Sequence, residues 1–508
     1  MAGQPTKPQH PLAEARQQLE RAETLRQARK YDQAQKICVS VLKRYPDYVA
    51  MLYTYGLVLA DRGDYARALP HLVQAAMLNP KEWKTLTVLS GVYLRLGAPE
   101  MAVQTLEQAD RRKPDNPDIL ATLGEIYREN REYDAAATAY RKALALDPSL
   151  HDVRFGLGNC YLHMGQPADA ADAFSGLVGH RSGSVDLLYS MSQLPAPLVG
   201  HDLLSLLDRA APGDAGTSEQ YEATLAFARA SALDGAGRHG EAWACLLDAN
   251  RLMASAHRDA NSRDMKTNQA VLASAKKHPK ITKPPVAAAG QQPLSLFIMG
   301  PSRSGKTTAE RLVATLDAVE RGYENPIVEH AVRHTFQTAG LPTRDWIVEL
   351  PPTLDDLCRE IYFEELAERA QTARVFTNTH PGHITSALRI AGILRNVRFV
   401  LVKRNPDDIA LRIFMSKYRT GNAHAYDIAA IRAYVDWYYE MIDIVADRLP
   451  HLSTIIQYED MVAHPAETRR SIAELCGLEP PKDRLPEPGD DRGCSQPYGA
   501  LIAAALDR

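Results

Sequence analysis

Four prolines stand 34 residues apart in the N-terminal half of the chain, and this period limits the folds open to it. They are Pro46, Pro80, Pro114 and Pro148. Small residues keep the same register at Ala34, Ala68, Ala102 and Ala136. Four prolines rarely fall in strict register by chance. The period therefore predicts a stack of repeated units, each built from two helices.

Each unit has a break near its middle, in ARKYDQA, RGDYARA, LGAPEMA and NREYDAA. Apolar residues on either side recur at spacings of three and four, as amphipathic helices require. This pattern resembles the tetratricopeptide repeat over about residues 13–180, in five units. A further helical pair is predicted at 221–254, after an irregular stretch at 185–218. The resemblance implies either a peptide or protein partner on the concave face, or a scaffold for the rest of the chain.

The composition excludes several classes of protein. The chain has 508 residues, 45% of them hydrophobic and 24% charged, which is a globular composition. A net charge of −3 provides no basic field for nucleic acid. No stretch reaches the roughly 18 apolar residues of a membrane span. Six widely spaced cysteines predict reduced thiols, no metal site and a cytoplasmic location.

The C-terminal half alternates strand-like and helical segments. The strand candidates are LSLFIMG, ARVFTN, VRFVLVK and STIIQY. Helical patterns lie between them, which predicts a parallel sheet with helices on both faces. We therefore predict a multidomain chain, an all-α superhelix of repeats followed by an α/β domain of the P-loop type. The predicted parts are a disordered tail (1–12), repeats (13–258), a linker (259–293) and the α/β domain (294–508). The linker prediction rests on a basic and proline-rich stretch at 276–293.

The turn after the first predicted strand, Gly300–Thr307, fits G-x-x-x-x-G-K-[ST] without a mismatch. Glycines turn backbone N–H groups toward an anion, and the following helix adds positive potential. The turn therefore predicts phosphate or sulfate binding. The candidate residues are Ser302, Arg303, Ser304, Gly305, Lys306, Thr307 and Thr308. A nucleoside triphosphatase needs a further acid to hold magnesium. The strand Val397–Lys403 is instead followed by Arg404, which suits a second phosphate.

Several segments across about residues 294–480 resemble the sulfotransferases that use 3′-phosphoadenosine 5′-phosphosulfate (PAPS). They are SRSGKTT, VRFVLVKRNPDDIAL and TIIQYEDMVAHPAETRRSIAELCGL. The resemblance implies a sulfuryl transfer from PAPS that leaves adenosine 3′,5′-bisphosphate (PAP). It implies that the loop holds the 5′-phosphosulfate and that Arg303 stabilises the bridging oxygen. Arg404 would pair with the 3′-phosphate. Arg412 stands where the family has a serine, and Ser416 lies one helical turn later; Arg412 can itself bind phosphate.

The segment RGYENP, residues 321–326, resembles the R-x-G-E-E stretch of protein-tyrosine sulfotransferases. The resemblance implies that Glu324 is the base for an acceptor hydroxyl, with protein tyrosine as a candidate acceptor. His380 and His383, in NTHPGHI, are alternative bases. The family's D-K-x-P segment corresponds to Asn378–Pro381 here, so Thr379 replaces its lysine.

Two other functions fit the same residues. An adaptor would use the repeats to bind a partner and would carry a diverged nucleotide domain. A P-loop kinase or ATPase would use the intact G-x-x-x-x-G-K-T turn. The sequence leaves open the acceptor, the partner and the oligomeric state. It also leaves open whether turnover survives the replacement of the family's lysine and serine.

Overall fold

A computed structural model of the chain describes residues 11–181, 184–199, 202–210, 218–281, 293–370, 373–418, 422–479 and 489–507. The chain divides into two compact units, Met1–His163 and Met164–Arg508. The predicted disordered tail, residues 1–12, lies outside the described residues except for its last two, which begin the first helix.

The first unit consists of paired helices in the described residues. They are α1 (Pro11–Gln27), α2 (Tyr31–Arg44), α3 (Val49–Asp61), α4 (Tyr65–Leu78), α5 (Trp83–Arg95), α6 (Pro99–Arg112), α7 (Pro117–Glu129), α8 (Tyr133–Leu146) and α9 (His151–Met164). Each of the four prolines stands two residues after the end of α2, α4, α6 or α8, where a residue without an N–H can follow a helix. The four register alanines are fully buried, because the paired helices meet there. The predicted repeat register is therefore confirmed.

The second unit begins with less regular helices. They are α10 (Pro167–Ser175), α11 (Val178–Arg181), α12 (Val185–Ser192), α13 (Ala196–Val199), α14 (Leu203–Asp208), α15 (Glu219–Gly235) and α16 (His239–Lys277). Helix α16 has 39 residues and passes without a break through the predicted boundary at 258–259. The linker prediction is therefore wrong for residues 259–277. No proline interrupts this stretch before Pro279, and Ala275 is buried in the core of the α/β part.

The α/β part follows. Its elements are β1 (Leu294–Met299), α17 (Lys306–Val313), β2 (Val319–Glu320), α18 (Ile327–Thr338), α19 (Asp355–Arg369), β3 (Val375–Asn378), α20 (Ala387–Leu394), β4 (Val397–Lys403), α21 (Pro406–Phe414), α22 (Ile428–Arg448), β5 (Ser453–Gln457), α23 (Tyr458–Ala463), α24 (Pro465–Leu475) and α25 (Gly499–Leu506). Short 3-10 helices are Ile347–Glu349, Pro352–Leu354, Pro381–Thr385, Ala423–Tyr426 and Gln496–Tyr498. The strand order is β2-β3-β1-β4-β5, and each pair is parallel.

Alternation along β1 shows why this sheet is covered on both faces. Every residue of β1 is buried. Phe297 and Met299 enter one hydrophobic core, whereas Leu296 and Ile298 enter another. Successive side chains of a strand point to opposite faces, so a strand buried on both faces reads as a continuous apolar run. The predicted parallel sheet between two helical layers is confirmed.

A third hydrophobic core joins the last helical pair to the α/β part. Phe227 of α15 and Trp243 of α16 belong to the same buried cluster as Phe414 and Tyr498. The rings of Trp243 and Phe414 lie 5.4 Å apart, centroid to centroid. In the described part of the chain, no helix combines the length and the apolar character that crossing a bilayer requires.

Candidate anion-binding and acceptor site

The turn between β1 and α17 is tightly packed. A Cβ on Gly300 would lie 2.7 Å from the backbone oxygen of Val402, at the end of the neighbouring strand. Gly305 has a φ of +97°, and a Cβ there would lie 2.3 Å from the ring of Tyr458. Only glycine tolerates both conditions. The turn therefore brings its backbone to the ends of β4 and β5 and leads directly into the first turn of α17.

The side chains of this turn combine buried and accessible groups. Ser304 is fully buried, and its Oγ has no hydrogen-bond partner among the described residues. Thr307 is exposed, whereas Ser302 and Thr308 are half-buried. Arg303 is exposed, and its Nη2 donates to Ser416 Oγ over 2.9 Å. A buried hydroxyl without a partner is uncommon in proteins and fits the place of an anion's oxygen.

Lys306 is the buried cation of the turn. Its side chain is 7% exposed, and its Nζ donates to the carbonyl oxygen of Pro301 over 3.1 Å. Burial lowers the pKa of Lys306 to about 8; the charge of Glu324 opposes this shift, and the charge of Arg303 adds to it. A bound anion would restore the favourable environment of the ammonium group.

Arg404 lies at the end of β4 and is 5% exposed. Its Nη1 donates to the backbone oxygen of Arg303 over 3.1 Å, which joins the ends of β1 and β4. Its guanidinium carbon lies 4.4 Å from the centroid of the Tyr458 ring. The Nε of Arg404 is buried and has no hydrogen-bond partner among the described residues. Arg404 is thus a buried cation with one unused donor beside the turn Gly300–Thr307.

Both arginines that we expected to hold a phosphate contact one carboxylate. Nη2 of Arg404 donates to Asp491 Oδ2 over 2.9 Å. Nε of Arg412 donates to Oδ2 of the same residue over 3.1 Å, and Nη2 to Oδ1 over 2.5 Å. Nη1 of Arg412 also donates to Asp234 of α15 over 3.4 Å. The structure therefore brings Arg404 and Arg412 together, with the carboxylate of Asp491 between them.

Glu324 lies in the turn between β2 and α18 and is half-buried. It lies close enough to Lys306 for its charge to raise the pKa of that lysine. The carboxylate of Glu310, on α17, holds this turn. Its Oε1 accepts from the backbone N–H of Tyr323 over 3.0 Å, and its Oε2 accepts from Arg321 Nη2 over 3.1 Å. A buried carboxylate with several donors fixes the backbone on which Glu324 stands.

The end of β3 holds the other side of the same turn. Thr379 donates its N–H to the carbonyl oxygen of Tyr323 over 2.7 Å. Asn378 Nδ2 donates to the carbonyl oxygen of Asn325 over 3.0 Å. Thr379, which replaces the lysine of the family, thus contributes a backbone contact at this place. The proposed base therefore stands between α17 and the carboxyl end of β3.

His380 and His383 lie just beyond β3, with ring centroids 5.0 Å apart. Nδ1 of His380 accepts from the N–H of Gly382 over 3.2 Å. Together with Glu329, the two histidines are the one group in the described residues with the composition of a metal site. Nδ1 of His383 and Oε1 of Glu329 are 4.0 Å apart, wider than the roughly 3.4 Å between ligands of a tetrahedral zinc ion with bonds of about 2.1 Å.

Three residues of the site were not predicted from the sequence. Tyr458 packs against Arg404 and Gly305. The resemblance of its Y-E-D segment to the sulfotransferase family was the sequence feature that could have identified it. Glu310 looked like an ordinary helical residue. Asp491 contacts Arg412 across 79 positions, and no local pattern signals such a contact.

Comparison with known protein families identifies both halves. Residues 293–482 match the model of the Sulfotransferase family. Two Tetratricopeptide repeat models match residues 19–81 and 121–185, and residues 59–126. The chain carries tetratricopeptide repeats followed by a sulfotransferase-family domain. The candidate anion site lies inside that domain, at the carboxyl ends of β1 and β4.

Individual proteins resemble the repeats. Tetratricopeptide repeat protein 6 from Homo sapiens is 27% identical over 143 residues, which cover 28% of this chain and 27% of that protein. Photosystem I assembly protein Ycf3 from Synechococcus sp. (strain CC9605) is 28% identical over 113 residues, covering 19% of this chain and 65% of that protein. A thermophilic TPR protein from Thermus thermophilus, whose structure is solved, is 24% identical, covering 35% of this chain and 97% of its own, with a TM-score of 0.31. The chain spans less than two thirds of the length of these curated relatives.

Proposed function

We propose that the sulfotransferase-family domain transfers a sulfuryl group from PAPS to a hydroxyl acceptor. The observation that supports this most is the pairing of two cationic sites at adjacent strand ends. Lys306 and the phosphate-binding turn form one site, and Arg404 and Arg412 form the other. The hydrogen bond from Arg404 to the Arg303 carbonyl joins them. PAPS carries anionic groups at both its 5′ and its 3′ ends, so two joined anion sites suit it.

The residues present fit such a nucleotide. Ser304 Oγ and Arg404 Nε are buried without hydrogen-bond partners in the described residues, so both can serve an incoming oxygen atom. Lys306, the N–H groups of the turn and the start of α17 would hold the 5′ end. The guanidinium groups of Arg404 and Arg412 would hold the 3′-phosphate through paired N–H donors. When bound, PAPS supplies the sulfuryl group.

The chain's own residues would manage charge and protons. Arg303 is an exposed residue of the turn, where its guanidinium would offset the negative charge that develops on the departing phosphate oxygen. Glu324 would accept the proton of the acceptor hydroxyl. Its turn is held between Glu310 and Thr379, which keeps it beside Lys306.

His380 is the second candidate for the base. Its Nδ1 accepts the N–H of Gly382, so that lone pair is engaged and the proton of the neutral ring lies on Nε2. A ring in this state donates from Nε2 and does not accept there. This hydrogen bond favours Glu324 as the base.

The strand ends favour a sulfotransferase over a kinase or ATPase. A P-loop phosphotransferase holds magnesium with an acid at the end of a neighbouring strand. The strands beside β1 end in Asn378 and in Lys403, neither of which carries a carboxylate.

The repeats would bind the acceptor or a partner protein, and a tyrosine hydroxyl in a peptide is our candidate acceptor.

A ligand comparison by thermal unfolding tests the choice of nucleotide. PAP without magnesium should stabilise the chain by about 2.7 kcal/mol at a hundredfold excess over its Kd. Stabilisation by ATP with magnesium alone would favour the phosphotransferase. If neither ligand stabilises the chain, the adaptor gains support.

A further inference from the structure

The carboxylate of Asp491 occupies the space between the two arginines assigned to the 3′-phosphate. Arg404 contributes one donor to it and Arg412 contributes two, at distances between 2.5 and 3.1 Å. Arg404 also donates to the backbone oxygen of Asp491. The Arg404 side chain is only 4% exposed, whereas that of Asp491 is 38% exposed. The carboxylate therefore lies at the entrance and the guanidinium lies beneath it.

The backbone around Asp491 is held in place by residues of the same pocket. Buried Asp408 accepts hydrogen bonds from the N–H of Gly493 over 2.8 Å and the N–H of Ser495 over 2.9 Å. The Asp491 N–H donates to the hydroxyl of Tyr458 over 3.2 Å. The hydroxyl of Tyr458 also donates to the carbonyl oxygen of Gly489 over 3.3 Å. Residues 489–495, which we name the anionic segment, are thus anchored on both sides of Asp491. These backbone hydrogen bonds keep the carboxylate of Asp491 beside Arg404 and Arg412.

The contacts of Asp491 have the form of a phosphate contact. Burial opposes ionisation, but the hydrogen bonds and charges of Arg412 and Arg404 hold the pKa of Asp491 below its usual value, so the group is an anion at neutral pH. A carboxylate offers two oxygens in one plane to paired guanidinium donors, as a phosphate does with its oxygens. Two anions cannot share this space, because their like charges repel each other.

We infer that Asp491 competes with the 3′-phosphate of the nucleotide and so sets the affinity and selectivity of the donor site. This inference rests on the proposed function. A nucleotide with a 3′-phosphate must displace the Asp491 carboxylate from Arg404 and Arg412. A nucleotide with only a 5′-phosphate binds the turn and leaves Asp491 in place. Asp491 is therefore a specificity-determining residue of the donor site.

The test is titration calorimetry of the full chain with PAP and with adenosine 5′-phosphate. Asp491→Asn removes the competing charge and keeps the size of the side chain. It should bind PAP at least about tenfold more tightly than the parent, because PAP no longer has to displace charge-assisted hydrogen bonds between residue 491 and the two arginines. Its affinity for adenosine 5′-phosphate should be unchanged. The matched control is Asp490→Asn. Asp490 is the neighbouring exposed carboxylate, it pairs with Arg492, and its loss should leave both affinities unchanged.

The ligand preference of the parent protein shows whether the inference fails alone or together with the proposed 3′-phosphate site. If the parent prefers PAP to adenosine 5′-phosphate and Asp491→Asn binds PAP no more tightly, the inference is overturned and the proposed function stands. If neither protein prefers PAP, the 3′-phosphate site fails and the inference fails with it.

A measurement on the parent protein tests the inference even if the Asp491→Asn variant does not fold. Hydrogen–deuterium exchange in a peptide spanning residues 489–495 should rise when PAP binds, because Asp491 leaves Tyr458 and the arginines. It should not change with adenosine 5′-phosphate. Unchanged or slower exchange with PAP would overturn the inference.

Discussion

Nη1 of Arg404 donates a hydrogen bond to the backbone carbonyl of Arg303, 3.1 Å away. The bond connects the end of β4 to the turn Gly300–Thr307 at the end of β1. Arg303 has a φ of +67°, which side-chain-bearing residues rarely adopt. Arg404 therefore contacts the turn at a residue whose backbone conformation is uncommon for arginine. One guanidinium group links the two ends of the proposed nucleotide site.

The affinity for PAP should depend on pH through Lys306. Its pKa of about 8 means that the ammonium group is charged below that pH and neutral above it. An anion loses its buried cation as the pH rises, so affinity should fall by about tenfold from pH 7 to pH 9. Calorimetry across this range measures the change. The control is Lys306→Arg, whose charge persists at pH 9 and whose affinity should stay flat. An equally steep decline in Lys306→Arg would assign the titration to another group.

Glu324→Gln should bind PAP normally and slow transfer by about 10²–10⁴-fold, because glutamine cannot accept the acceptor's proton. The rate of PAP formation from PAPS with a tyrosine-containing peptide measures this. The comparison variant is His380→Gln, for which we expect a smaller effect. If His380→Gln abolishes transfer and Glu324→Gln does not, the histidine is the base.

Glu310→Ala should lower both the free energy of unfolding of the domain and the rate of sulfuryl transfer. Glu310 is 1% exposed and pairs with Arg321, so removing it leaves a largely buried guanidinium without its partner, at a cost of about 3–5 kcal/mol. Chemical denaturation measures the loss. Arg311→Ala, at the exposed neighbouring position, is the control and should stay within about 0.5 kcal/mol of the parent. A small loss for Glu310→Ala would show that the turn carrying Glu324 is held by its other contacts.

Periodic and local patterns made the fold readable from the sequence. The repeat register marked by the four prolines is confirmed, and the four strand candidates are confirmed as β1, β3, β4 and β5. Strand β2 was not predicted, because its two residues, Val319 and Glu320, are too few to form a pattern. The course of α16 beyond residue 258 was also missed. Its exposed residues are mostly polar, and its stability comes from packing onto the α/β core.

Some residues of the candidate site also follow from a local sequence pattern, whereas others do not. The turn Gly300–Thr307 is a contiguous motif, so the sequence alone singles out its residues, and it singles out Arg404 because this residue directly follows an apolar strand. The grouping of Arg404 and Arg412 on Asp491 depends on contacts across 87 and 79 positions. Tertiary packing alone produces such contacts.

The central claim is that Arg404 holds the 3′-phosphate, and a binding cycle with two ligands and two proteins tests it most directly. Calorimetry would compare PAP with adenosine 5′-phosphate on the parent and on Arg404→Ala. We predict that Arg404→Ala weakens PAP binding by about 2–3 kcal/mol, which lies within the range for hydrogen bonds to charged groups. The affinity for adenosine 5′-phosphate should stay nearly unchanged. An equal loss for both ligands would mean that Arg404 acts only by supporting the turn, and it would contradict the 3′-phosphate assignment.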